Sequence, residues 1–264
     1  MPLGRLVIEG GPKTPRHDAI YQAILKGRHG DGPLCIIPTS NHLPDSATAA
    51  EIKDFGAKGW GSAVVGIPLT VDKPEAAQDA RIVAELNRCS GFFFLGGRQM
   101  RSSRVFRPDG KTTLALEAIR ARYHAGAVIA GTSAGAAIMS DPMLNAGTNA
   151  ASLERGVASG GITLVPGLGF FSGVLVDQHF LAVNRIARLL VTVLQVDAFD
   201  IGFGVDENTA LVVEKGRAWV EGASGVVFVD GRQARRAAEG NGGSGLRVHL
   251  LGAGDTVDLT TFRP

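Results

Sequence analysis

Long apolar runs, excess charge of one sign, aromatic residues and cysteine are all scarce in this chain. Each scarcity excludes something. No apolar stretch approaches the roughly 18 residues needed to cross a bilayer, so no membrane partner is expected. The opening MPLGRLVIEGG is too short and too soon broken to read as a secretory signal. The formal net charge is only +2, and no basic run is interleaved with aromatics, which argues against a nucleic-acid partner. The two cysteines, Cys35 and Cys89, are far apart and match no metal or redox spacing. Both adjoin apolar runs. They are expected to be free buried thiols, with no disulfide framework and a cytoplasmic location. No internal repeat is visible, and the most linker-like stretch is EGNGGSG at 239–245. With 264 residues, 45% of them hydrophobic, there is material for one sizeable core. A single domain over 1–264 is expected.

Short apolar runs alternate with longer amphipathic stretches. Strands are predicted at 3–9, 34–38, 63–67, 91–95 and 127–130, later at 174–176 and 202–205. Helices are predicted at 17–25, 47–56, 74–88, 113–125 and about 181–195. Continuous apolar strands separated by helices imply an α/β fold with a mostly parallel sheet flanked by helices. From Thr209 onward the pattern changes to short alternating strands, so an antiparallel C-terminal portion is expected to pack on that domain.

The stretch AGTSAGAAIM, 130–139, holds a GxSxG pattern directly behind the 127–130 strand. At a strand-to-helix turn such a pattern forces the serine backbone into a strained conformation and holds its Oγ clear of the surface. Ser133 is therefore a candidate nucleophile, and the amide of Ala134, at a helix start, a candidate oxyanion donor. The plainer alternative is a small residue in a tight packing position. Gly96-Gly97 also follows a strand, and in a parallel sheet the carboxyl ends of the strands line one crevice. Gly97 can bring a second N–H to the same oxygen, because no side chain obstructs it.

A serine nucleophile needs a base. His17, His29 and His42 lie in polar or turn-rich stretches, His124 ends an amphipathic helix, and His249 lies inside an alternating strand. His179, in VLVDQHF, stands just past an apolar strand with Asp177 and Gln178 before it. It is the best-placed base. Asp206 and Glu207, after another apolar strand, are both candidates to orient it. An α/β-hydrolase would run serine, acid, histidine, with His249 as base and Asp206 or Asp230 as acid. His249 lacks the loop context for that.

LGGRQ, GTSAGAAIM, VDQHFLAVNRIARLL and GFGVDENTALVV, in this order, resemble the cyanophycinase and aspartyl dipeptidase family of serine peptidases. The resemblance covers most of 90–215. It implies a sheet-and-helix fold related to class I glutamine amidotransferases. Ser133 would be the nucleophile, His179 the base and Glu207 the orienting acid, with no cofactor and no metal. It further implicates Gln99, Asp177, Gln178, Arg185 and Arg188 as pocket residues. Asp177 could then pair with a substrate guanidinium, and Arg185 and Arg188 with substrate carboxylates, on a helix whose buried side is Val183, Ile186, Leu189 and Leu190. The implied partner is a peptide or cyanophycin, a poly-aspartate with arginine on each side chain, cleaved to β-Asp-Arg. A homodimer is implied by the resemblance alone. Three positions depart from the family pattern. Arg98 stands where Asn or Asp is usual, Val183 where Arg is usual, and PKTPRH follows Gly10-Gly11 in place of an acidic pair and lysine. Arg98 would either repel a cationic side chain or hold a carboxylate in place of the arginine absent at 183. An aspartyl or isoaspartyl dipeptidase, or a binding protein that has lost turnover, are the alternatives to a cyanophycin hydrolase.

Overall fold

The computed structural model describes residues 4–12, 15–60 and 63–264. The first half of the chain alternates strand and helix. β1 (Leu6–Glu9), α1 (Asp18–Lys26), β2 (Leu34–Ile37), α2 (Pro44–Phe55) and β3 (Val64–Gly66) come first. α3 (Ala80–Leu86), β4 (Gly91–Phe94), α4 (Gln99–Phe106), α5 (Leu114–His124) and β5 (Val128–Thr132) follow. Leu3, the expected start of the first strand, and Lys13 and Thr14 of the PKTPRH segment lie outside the described residues. His17 caps α1, its Nδ1 accepting from the Ala19 amide at 3.2 Å. The helix expected at 74–88 is broken. Asp79 is extended (φ −74°, ψ 123°), and its carboxylate accepts from the Arg81 amide at 2.8 Å, which starts α3 and ends the 3-10 turn before it.

The middle of the chain carries α6 (Ala134–Ala137), β6 (Met143–Gly147), α7 (Asn149–Arg155), β7 (Ile162–Val165), β8 (Val174–Asp177), α8 (Ile186–Gln195) and β9 (Ile201–Val205). The C-terminal strands are β10 (Thr209–Glu214), β11 (Arg217–Gly222), β12 (Val226–Asp230), β13 (Arg235–Arg236), β14 (Gly243–Ser244), β15 (Arg247–Leu251) and β16 (Thr256–Asp258).

Eight strands form the main sheet in the order β16-β11-β10-β1-β5-β4-β2-β3. β1, β5, β4, β2 and β3 pair in parallel, and β10, β11 and β16 continue the sheet antiparallel. A second sheet, β15-β12-β9-β8, pairs β8 with β9 in parallel and adds β12 and β15 antiparallel. This is the α/β class expected. The antiparallel C-terminal strands are present as expected: β10, β11 and β16 extend the main sheet, β12 and β15 the second, and β13 and β14 pair only with each other. β10 and β12 find apolar neighbours and unpaired ladder groups at the sheet edges next to β1 and β9.

Side chains of the parallel strands alternate between two apolar layers, because successive residues of a strand face opposite sides. Leu6, Ile8, Ile37, Phe92 and Phe94 join one core with Leu116 and Ile119 of α5. Val7, Ile36 and Phe93 join the other with Ile20 of α1 and Phe55 of α2. Both faces are covered, which is why these strands read as unbroken apolar runs. Truncating Phe93 to Ala would cost about 3–5 kcal/mol, since buried apolar surface is lost and the packed neighbours close the cavity only in part.

The cysteines contradict the expectation of free thiols. Cys35 on β2 and Cys89, just before β4, are joined by a disulfide across 6.0 Å between their Cα atoms. β2 and β4 are parallel neighbours, so residues distant in sequence are brought within bridging range. The bridge removes the thiol-based argument for a cytoplasmic location. Among the described residues, no helix is long and apolar enough to cross a membrane.

Candidate active site

Ser133 is the hinge between β5 and α6. Its backbone lies at φ 54°, ψ −113°, a region that residues with a side chain avoid. Its N–H donates to the Glu9 carbonyl of neighbouring β1 at 3.0 Å, which holds the turn in place. The Oγ lies 2.8 Å from His179 Nε2. On the other side of the ring, His179 Nδ1 lies 2.8 Å from Glu207 Oε1. An ionised carboxylate can only accept, so Nδ1 carries the proton and Nε2 presents its lone pair to Ser133. The three side chains follow the carboxyl ends of β5, β8 and β9, at the end of the parallel strands where crevices form.

Asp206 and Glu207, which the sequence leaves as alternatives, do different work. Asp206 accepts from the amides of Leu181 (3.0 Å) and Ala182 (2.9 Å) and from Ser224 Oγ (2.7 Å). It therefore clamps the turn that follows His179. Burial pushes the Asp206 carboxyl up, but the hydrogen bonds from Ser224 and from the Ala182, Glu207 and Leu181 amides outweigh it and hold the group below its usual value. Nothing in its spacing from His179 distinguishes this role from that of Glu207.

The Gly96–Gly97 turn abuts the serine. A Cβ on Gly96 would lie 3.7 Å from Ser133 Oγ. Gly97 adopts φ +139°, and a side chain there would meet the Ser40 carbonyl oxygen at 2.1 Å, so only glycine fits. Among the described residues, the N–H groups of Gly97 and Ala134 donate to no other group. A strained serine, a base, a carboxylate and two unengaged amides are the parts of acyl transfer.

The sequence model of peptidase family S51 matches residues 6–220. The chain belongs to peptidase family S51. It is a serine peptidase with the α/β fold of that family. It is 30% identical to a cyanophycinase from Nostoc sp., over 96% of this chain and 85% of the relative. To a cyanophycinase from Geminocystis herdmanii it is 31% identical, over 98% and 94%. A solved peptidase from an acI-B1 actinobacterium shares its fold with a TM-score of 0.71 at 20% identity, over 97% of both chains.

In this S51 peptidase the other expected pocket residues are placed differently from the expectation. Asp177 is buried and paired with Arg188, accepting from its Nε at 2.6 Å and also from its Nη2. Arg188 is itself buried and also donates to the Gly147 carbonyl. Neither presents a charge to a ligand. Their partnership fixes the end of β8 against α8. Arg185 is the more accessible of the two arginines. It donates to the Gln178 carbonyl (2.6 Å) and Oε1 (2.8 Å) and lies 3.7 Å from Asp177. Arg185 precedes α8 and Arg188 lies inside it, so they do not share an exposed face. The helix orientation differs from the expected one as well. Leu189 is buried, but Val183 is 53% exposed and Ile186 is 38% exposed. Packing of Leu189, Val191 and Val193 in one apolar cluster with β8 and β12 turns Arg188 inward, where Asp177 receives it. Gln99 ties α4 to β6 by donating to the Leu144 carbonyl at 2.8 Å. Arg98 is exposed and lines the cleft beside Gly97.

Proposed function

We propose that this S51 peptidase is a serine exopeptidase that cleaves cyanophycin, or a similar β-linked aspartyl polymer, to dipeptides. The observation that carries the reading is the pair of 2.8 Å contacts that put His179 between Ser133 and Glu207. The cyanophycinases it resembles over most of its length support the substrate.

Ser133 Oγ attacks the scissile carbonyl carbon while its proton passes to His179 Nε2. The amides of Gly97 and Ala134 receive the negative charge that develops on the carbonyl oxygen. His179 returns the proton to the departing amine, leaving an acyl-enzyme on Ser133. Water then attacks that ester, with His179 again taking the proton and returning it to Ser133. Glu207 stays ionised, fixes the tautomer and stabilises the imidazolium.

One observation favours a second reading, an aspartyl or isoaspartyl dipeptidase with the same three residues. Arg98 borders the cleft at Gly97 and would oppose a substrate guanidinium placed there. Incubation with insoluble cyanophycin and mass analysis of the soluble fraction separates the two. Release of β-Asp-Arg supports the first. Cleavage of short aspartyl peptides with no product from the polymer supports the second.

A further inference from the structure

α4 carries a row of arginines that the triad does not use. Arg101 and Arg104, three apart, lie along one side of the helix, and Arg98 stands just before its start. They line two adjoining concavities. One, of about 380 Å³, is walled by Arg98, Gln99, Arg101, Arg104 and Asn145, with Met100. The other, of about 570 Å³, is walled by Ser40, His42, Gly97, Arg98 and Arg101. Gly97 thus joins the second concavity to the amide beside Ser133. Neither wall contains a carboxylate.

Other arginines have carboxylate partners. Arg107, just past α4, pairs with Asp141, and Arg188 pairs with Asp177, with Arg185 3.7 Å from the same carboxylate. Among the described residues Arg98, Arg101 and Arg104 form no ion pair. Arg101 is oriented by donation to the Asn41 carbonyl at 2.5 Å, and Arg104 reaches Met100 Sδ at 3.6 Å. Three unneutralised guanidiniums around a concave surface repel one another and create a positive field in the cleft. The guanidinium fork matches carboxylate geometry.

We propose that the α4 wall is an extended carboxylate-binding subsite that selects substrate chains carrying several free carboxylates. It rests on the reading of Ser133 as nucleophile, because Gly97 is what connects the wall to the reacting bond. A row of charges on one helix side engages several acidic groups of an extended chain at once, so the specificity lies in repeated carboxylates. It turns cationic side chains away from α4. In cyanophycin each arginine is attached through its α-nitrogen and keeps a free carboxylate, so that polymer offers such a row. Its guanidiniums would then face away from this wall.

Fluorescence anisotropy of a labelled hexa-aspartate tests the proposal, with hexa-glutamine and hexa-lysine as comparisons and Ser133→Ala preventing cleavage. Hexa-aspartate is expected to bind, more weakly as salt rises, and hexa-lysine is not. Arg101→Glu with Arg104→Glu is expected to weaken hexa-aspartate binding by about a hundredfold or more, as loss and reversal of two charge-assisted contacts imply. Arg104→Glu alone, at an exposed position, gives a smaller loss in the same direction and serves if the Asn41 contact makes the Arg101 variant unstable. Equal binding of hexa-aspartate and hexa-glutamine, or no loss on charge reversal, overturns the subsite. Labelling of wild-type Ser133 by a fluorophosphonate is read separately. Its failure strikes the nucleophile, while its success alongside absent hexa-aspartate binding strikes only the subsite.

Discussion

The backbone of Gly11 is the floor on which the His179 ring rests: a Cβ at position 11 would come within 2.3 Å of the imidazole Cε1. The His179 amide in turn donates to the Gly10 carbonyl at 2.7 Å. Gly11→Ala must displace the ring. A displacement of order an ångström at a catalytic group costs about a hundredfold in rate. The expected outcome is a drop in kcat of about that size together with a lowered melting temperature, because Gly11 also has a positive φ, measured by steady-state kinetics and thermal denaturation.

Asp206 holds the turn after His179 by accepting from the Leu181 and Ala182 amides and is itself anchored by Ser224 Oγ, so Asp206→Ala frees that turn. A loss of about 1.5–3 kcal/mol in stability is expected, the range for hydrogen bonds to a charged group, together with lower kcat. The pH dependence follows from the depressed carboxyl. Because the folded group titrates below the unfolded one, its contribution is present above the ordinary carboxylate range. It is lost as pH falls through the folded value. Urea titrations of wild type and variant should differ at neutral pH and converge in acid. A difference that grows on acidification would contradict the assignment.

Arg16 is buried between Glu9, at 3.1 Å, and Glu51, at 2.8 Å, and lies over the rings of Tyr21, Phe55 and Phe93. Arg16→Met strands Glu9, whose carbonyl holds Ser133, in the interior. Removal of one partner of a buried pair costs about 3–5 kcal/mol. The variant should show this in denaturant unfolding, and the added substitution Glu9→Gln should recover part of it.

The Cys35–Cys89 bridge closes a loop of 54 residues. In the chain-entropy account such a closure contributes roughly 4 kcal/mol. The paired substitution Cys35→Ala and Cys89→Ala should lower stability by an amount of that order. Alkylation of the unreduced, denatured chain should label neither cysteine, and reduction should expose both.

Where polarity and local pattern coincide, the sequence is easily read. The apolar runs that became β2, β4 and β5 are covered on both faces, so nothing interrupts them. Polar residues just past such runs, His179 and Glu207, stand out for the same reason. α4 is hidden because its buried face is built from Gln99, Ser102 and Ser103 beside Val105 and Phe106, which blurs the helical period. The Cys35–Cys89 bridge depends on which strands become neighbours, and strand order is not a local property. Arg188 reads as a residue that pairs with a substrate carboxylate until Asp177 is known to lie beside it. The division of labour between Asp206 and Glu207 depends on Ser224, a residue of the bend between β11 and β12.

Everything proposed for the cleft depends on Ser133 acting as the nucleophile of a working Ser-His-Glu set. Intact-mass analysis after fluorophosphonate treatment, with peptide mapping of the adduct, tests it most directly. One adduct per chain on Ser133 is predicted, none in Ser133→Ala, and a fall in peptide turnover by about a millionfold in that variant. An unlabelled Ser133, or a Ser133→Ala chain that still cleaves its substrate at the wild-type rate, would contradict it.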